Sequence, residues 1–180
     1  MSFKIQSIQA FFQLLLFIFP AYVANSSPVI FGGGAALDGG RKFFDGKRLF
    51  GEGKTFRGFV LGLLSGTVVG AALAYSFDVY GLALGEKLAL AVLLSLGTVI
   101  GDVFGSFVKR RQGLSRGESS FGVDQLSFLA FALAFAFAYR PALLEQIGLD
   151  GIAILVVITF LLHKFFNIVA HFFKLKKVPW

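Results

Sequence analysis

The sequence contains no cysteine. That removes a thiol nucleophile, thiolate-bound zinc, iron–sulfur clusters and disulfides from consideration. Charge is scarce as well. Asp, Glu, Lys and Arg make up 15% of the 180 residues, against about 25% in a typical soluble domain. A folded surface so poor in charge does not stay dispersed in water. What the chain has instead is apolar mass: 56% hydrophobic residues, 24 of them phenylalanine, and a mean hydropathy of +0.78. Disorder, a coiled coil and a disulfide scaffold are excluded together. The composition is that of an integral membrane protein.

The little charge present is unbalanced, with 17 Lys plus Arg against 10 Asp plus Glu and a net charge of +7. In a soluble chain that surplus points to nucleic acid. In a membrane chain it marks loops held on the cytoplasmic side, and no nucleic-acid partner is expected here.

A membrane span needs about 20 mostly apolar residues. Stretches at about 5–24, 56–77, 87–108, 123–139 and 151–173 qualify, so the expected fold is all-α with five transmembrane helices in one domain, residues 1–180. The first stretch has Lys4 before it, like a signal peptide, but Pro20 falls late in it and no clean cleavage site follows. It is read as a retained helix. Arg41, Lys42, Lys47, Arg48, Lys54 and Arg57 fall in or at the end of the loop 25–55. Lys109, Arg110, Arg111 and Arg116 fall in the loop 109–122, and Lys174, Lys176 and Lys177 in the tail. Only Lys4, Lys87 and Arg140 fall on the other side, and Lys164 lies within the last span. The positive-inside rule then puts both loops and the C-terminus in the cytoplasm and the N-terminus outside a multi-pass cell-membrane protein.

Glycines at 58, 62, 66 and 70, and again at 97, 101 and 105, recur at spacing four. Small residues at that spacing let helix backbones approach closely in lipid. Spans two and three are expected to form a tight central pair.

Ionisable groups at a span edge are costly, and are functional candidates for that reason. Thr98, Asp102, Ser106 and Lys109 share one face of span three, with Arg110 following, and Asp124 opens span four. Two carboxylates beside a Lys-Arg pair suit a metal and phosphate site, and oxygen ligands favour magnesium over zinc. A salt bridge tethering two helices is the plainer reading of the same residues. His163, Asn167 and His171 line one face of span five, as helix contacts or as the lining of a groove.

The first loop reads DGGRKFF, DGKRLFG, EGKTFRG from Asp38, with Gly32, Gly33 and Gly34 just before it. So much glycine disfavours a helix. It frees backbone N–H groups to form anion-binding concavities, with Lys and Arg supplying charge. The candidate binding set is Gly33, Gly34, Arg41, Lys42, Lys47, Arg48, Lys54, Thr55, Arg57 and Ser106. A basic loop lying on anionic membrane lipids is the alternative. The GEGKT stretch lacks the spacing of a Walker motif. There is no Ser–His–Asp pattern and no HExxH. The inventory suits phosphoryl or nucleotidyl transfer, where positioning and charge neutralisation do most of the catalysis. A small anion transporter and a non-catalytic membrane scaffold are rival readings.

The stretch GDVFGSFVKRRQGLSRGESSFGVDQLSF, Gly101 to Phe128, resembles the C-terminal signature of CDP-diacylglycerol synthases. The chain resembles the archaeal CDP-archaeol synthase family more closely. That likeness runs through PAYVAN with a following Pro-Val, FGGG, DGG…DGKRLFG…GKTFRG, GD…SFVKRR…DQLSF and the ending KKVPW. It implies CMP transfer from CTP to an isoprenoid ether-lipid phosphate, 2,3-di-O-geranylgeranylglyceryl phosphate, with magnesium. It also implies Asp102 and Asp124 as metal ligands, with Lys109, Arg110 and the first-loop cations on phosphates. The chain departs from the bacterial signature at Ser115-Arg116, at Asp124-Gln125 and at Ser127, so bacterial site assignments are not carried into that loop.

Overall fold

The structure, a computed structural model, describes residues 8–174. Lys4, Lys176, Lys177 and the KKVPW ending lie outside them. Within this range the chain forms helices α1 (Ile8–Phe31), α2 (Phe56–Ser76), α3 (Leu84–Arg111), α4 (Val123–Tyr139) and α5 (Ala142–Phe172). α1, α2, α3 and α5 are long and apolar enough to cross a membrane. α4 has 17 residues and is about 25 Å long, a little short of a hydrocarbon core of about 30 Å.

The helix ends differ from the expected spans in ways that matter at the loops. α1 continues past Ala24 to Phe31, through Ser26, Ser27 and Pro28. Both serine hydroxyls donate back to carbonyls one turn earlier, Ser27 to Val23 O at 2.7 Å and Ser26 to Tyr22 O at 3.0 Å. That satisfies their polarity within the helix. α5 starts within the expected outer loop and breaks at Gly148, whose φ of 64° is not helical.

The two glycine stripes serve different neighbours. On α2 the stripe is buried and faces both α1 and α3. A Cβ at Gly66 would lie 2.6 Å from Pro20 O and 2.4 Å from Ser95 Oγ, and one at Gly70 would lie 2.6 Å from Ala91 Cβ. On α3 the stripe faces α4 instead. A Cβ at Gly97 would lie 2.6 Å from Phe131 O, and one at Gly101 2.5 Å from Ser127 O. α2 and α3 do touch, but the closest backbone approach of α3 is to α4. Spacing four defines a face of a helix and leaves its partner open, which is why the expected central pair is corrected here.

The large apolar core lies toward the end where α3 begins, with Leu14, Phe17, Ile18, Leu90, Leu94, Leu129, Leu133, Leu143 and Ile147 buried together. At the opposite end α1, α3 and α5 finish and α2 and α4 start. The polar loops meet there.

Candidate active site

Residues between α1 and α2 fold into a small antiparallel ladder rather than a loose loop. Leu37 N donates to Lys54 O at 2.7 Å, Leu49 N to Arg41 O at 3.0 Å, and Phe43 N to Lys47 O at 2.8 Å. Its centre is Asp38, a carboxylate that is 4% exposed. Asp38 accepts from Arg48 Nη2 at 2.5 Å and Arg48 Nε at 3.2 Å. It also accepts from the backbone N–H groups of Gly40, Phe50 and Gly51. The Arg48 guanidinium holds this carboxyl well below the usual carboxylate range, against the opposing effect of burial, and the three N–H donors add to the shift. Arg48, expected to bind phosphate, is therefore committed first to the ladder. Thr55 accepts from Gly58 N at 3.1 Å and caps α2. Gly33 and Gly34, at φ 105° and 82°, turn the chain out of α1 in a conformation that L side chains rarely adopt.

The ladder packs on the end of α3. Lys54 Nζ meets Asp102 Oδ2 at 2.5 Å. Lys47 Nζ donates to Arg111 O at 3.0 Å, satisfying a helix-terminal carbonyl with a cation. Arg111 is a positioning residue that the motif reading left unassigned. Its guanidinium pairs with Asp45 at 2.7 Å, donates to Arg48 O at 2.5 Å, and lies 4.9 Å from the ring centres of Phe43 and Phe107. Two turns further along the same face of α3, Lys109 Nζ meets Asp124 Oδ1 at 2.8 Å. Asp124 Oδ2 also accepts from Ser120 N at 2.9 Å.

Asp102, Asp124, Lys54, Lys109, Arg110, Lys47 and Arg48 thus converge on one end of the molecule through these contacts. Ser106 is half-buried on α3 between Asp102 and Lys109. Arg41, Lys42 and Arg57 are exposed, and among the described residues no ion pair draws them into this cluster. Between the ladder and the α3–α4 connection opens a cavity of about 310 Å³, whose walls include Lys47, Arg48, Gly51, Glu52, Arg110 and Arg116. Arg110 donates to Ser115 O at 3.0 Å, while its buried Nε has no hydrogen-bond partner among the described residues.

The carboxylates fit a hard divalent cation. Both are oxygen donors, and each already faces a single ammonium, a positive charge standing where a metal ion could stand. Among the described residues no three His, Asp or Glu side chains cluster. Most of a metal's ligands would then be phosphate oxygens and water, the coordination magnesium commonly takes at phosphate sites. Of the polar line on α5, His163 meets both its own helix and α4. Asn167 Nδ2 lies 3.1 Å from His163 Nδ1, and Gln125 Nε2 of α4 lies 3.4 Å from the same nitrogen.

A family model described as CarS-like, CDP-archaeol synthase, matches residues 7–180. The chain belongs to the CDP-archaeol synthase family. It is 45% identical to the CDP-archaeol synthase of Pyrococcus horikoshii, over 97% of this chain and 98% of that one. Identity to the Thermococcus kodakarensis protein of the same name is 47%, over 96% and 98%. Identity to the Methanocaldococcus jannaschii protein is 41%, over 94% and 97%. A solved structure described as an intramembrane enzyme for archaeal membrane lipids biosynthesis superposes with a TM-score of 0.74 at 34% identity, covering 86% of this chain and 92% of that one. Membership in the CDP-archaeol synthase family makes this chain a membrane-embedded transferase of lipid synthesis.

Proposed function

We propose that the chain transfers CMP from CTP to 2,3-di-O-geranylgeranylglyceryl phosphate, an archaeal ether-lipid phosphate, releasing pyrophosphate. The observation supporting this most directly is the pairing of each candidate carboxylate with a lysine from a different segment, Asp102 with Lys54 and Asp124 with Lys109, at one end of the helices. An oxygen of the lipid phosphate bonds to the α-phosphorus of CTP. The bond from that phosphorus to the oxygen bridging toward the β-phosphate breaks, and this oxygen leaves with the electron pair in pyrophosphate. The attacking phosphate is already ionised at neutral pH, so no side chain needs to take a proton from it.

Asp102 and Asp124 are the residues that would hold magnesium, which supplies neutralisation of phosphate charge when bound. Lys54 and Lys109 then turn from carboxylate to phosphate oxygens, exchanging one anionic partner for another. The donor-rich Arg110 orients the phosphates from the end of α3. Such positioning and charge compensation lower the barrier without covalent help from the protein.

In this reading all five helices span the membrane in a multi-pass cell-membrane protein, with α4 the shortest span. The N-terminus is outside, and the active site and C-terminus are cytoplasmic. The basic residues gathered in the loops at the site support that orientation. Lipid tails then remain in hydrocarbon while the phosphate reaches CTP at the surface. Purified protein given CTP and the lipid phosphate should release pyrophosphate one-for-one with CDP-lipid, and neither substrate alone should do so. No pyrophosphate with both present would sink the proposal.

A further inference from the structure

We infer that the cavity between the first-loop ladder and the α3–α4 connection seats the nucleotide base, with Glu52 and Arg116 reading the hydrogen-bonding edge of cytosine. This rests on the CTP reading above and gives it a basis for choosing the base. Lys47, Arg48, Arg110 and Arg116 line the cavity, and so does one carboxylate, Glu52. In a site built only for phosphate that carboxylate is a fault, because it repels the ligand. It has a use if the ligand presents a hydrogen-bond donor.

Glu52 is held loosely enough to serve. Its contacts are to Arg48 Nη1 at 3.4 Å and to Arg116 Nη1 at 4.0 Å, and the second is too long for a hydrogen bond. Arg48 is bound far more closely to Asp38, at 2.5 Å. The Glu52 and Arg116 side chains are 68% and 70% exposed, so each keeps hydrogen-bonding capacity toward the cavity. Gly51 and Gly113, at φ 86° and 82°, contribute wall without side chains. Leu114 adds an apolar surface for a flat ring. The cavity also adjoins the reacting groups. Lys54 donates through its backbone N–H to Gly51 O at 3.3 Å while its ammonium sits on Asp102. One nucleotide with its base beside Glu52 can therefore direct its phosphates toward Lys54.

The pairing is complementary to one pyrimidine. Cytosine presents an amine at position 4 and acceptors at N3 and O2, which match a carboxylate acceptor and a guanidinium donor. Uracil presents a carbonyl at position 4, which would face the Glu52 carboxylate acceptor to acceptor. Losing one such edge pairing and leaving two acceptors opposed is worth roughly ten- to a hundredfold in discrimination.

The experiment compares kcat/KM for CTP and for UTP with the lipid phosphate, in the unaltered protein and in E52Q and E52A. A Gln amide can turn to offer either an acceptor or a donor. E52Q should therefore lower the CTP-to-UTP ratio roughly ten- to a hundredfold, raising UTP use as CTP use falls. E52A should lower CTP use and leave UTP use close to its starting value. Tm should stay unchanged in both. An unchanged ratio, or loss of both nucleotides by one common factor, would overturn the base assignment and reduce Glu52 to a surface ion-pair residue. If the unaltered protein turns CTP over and only the ratio fails to respond, the base assignment alone falls. If the unaltered protein releases no pyrophosphate from CTP, the transfer reading falls and takes this inference with it.

Discussion

Lys54 and Asp102 are 48 positions apart in sequence and in contact, ammonium nitrogen to carboxylate oxygen at 2.5 Å. Lys54 immediately precedes Thr55, the cap of α2, and Asp102 lies in the second half of α3. The contact docks the first loop onto the helix that carries the candidate metal carboxylate. It also gives a measurable way to separate a tether from a chemical role.

Asp102→Asn and Asp124→Asn should each cut kcat by at least a hundredfold, because a metal neutralising developing phosphate charge is worth several kcal/mol of barrier. Loss of the lysine tethers alone predicts a lower Tm, by more at Asp124, whose pair with Lys109 is the more buried, with kcat retained in the folded fraction. Steady-state kinetics at saturating magnesium, read beside a thermal melt, distinguish the two. A folded Asp124→Asn enzyme with near-normal kcat would leave Asp124 a helix tether.

Glycine substitutions should separate by sign along α3. A Cβ at Gly101 would lie 2.5 Å from Ser127 O and 2.8 Å from Phe128 Cα, both backbone atoms, so α4 must move. Gly101→Ala is expected to cost about 1–3 kcal/mol, as overpacking does, and to lower activity by shifting the neighbouring Asp102. At Gly85, in the first turn of the same helix, nothing lies within 4 Å of a Cβ, and Ala is the better helix former. Gly85→Ala should leave Tm level or raise it slightly. Melting curves of the two variants check both signs.

Asp38 predicts a pH dependence. Its carboxyl titrates well below the usual range in the folded protein, chiefly because of Arg48. In the unfolded chain it titrates at about 3.9. A group with a depressed folded value contributes stability above the unfolded value and loses it as pH falls toward the folded one. Asp38→Asn should therefore lower Tm at pH 7, where charge-assisted hydrogen bonds of about 1.5–3 kcal/mol are lost. The gap from the unaltered protein should narrow as pH drops below about 4. A gap that stays constant down to pH 3 would show that the charge on Asp38 is not what holds the ladder.

The proposed orientation predicts unequal access at the two ends. In sealed vesicles of one known orientation, a tag at the N-terminus and a tag at the C-terminus should be cleaved by added protease from opposite faces. Cleavage of both from the same face would imply an even number of spans and would remove α4 from the set that crosses.

The sequence by itself determined the solvent of this protein, its helices and the end at which its basic loops gather. Apolar run length, glycine at spacing four and the grouping of basic residues are local properties of the chain, and they follow from backbone geometry and the cost of burying charge. The family motifs likewise marked Asp102, Asp124, Lys109 and Arg110. Which surfaces meet is not a local property. Spacing four placed Gly97, Gly101 and Gly105 on one face of α3, and only the packing decided that this face receives α4 while the stripe of α2 lies between α1 and α3. The basic first loop read as a row of equivalent cations. The folded ladder made them unequal, with Arg48 bound by Asp38, Lys47 on the end of α3, Lys54 on Asp102, and Arg41, Lys42 and Arg57 left exposed. A charge's role depends on the counter-charges that long-range contacts bring within a few ångströms, and those distances exist only once the chain is packed.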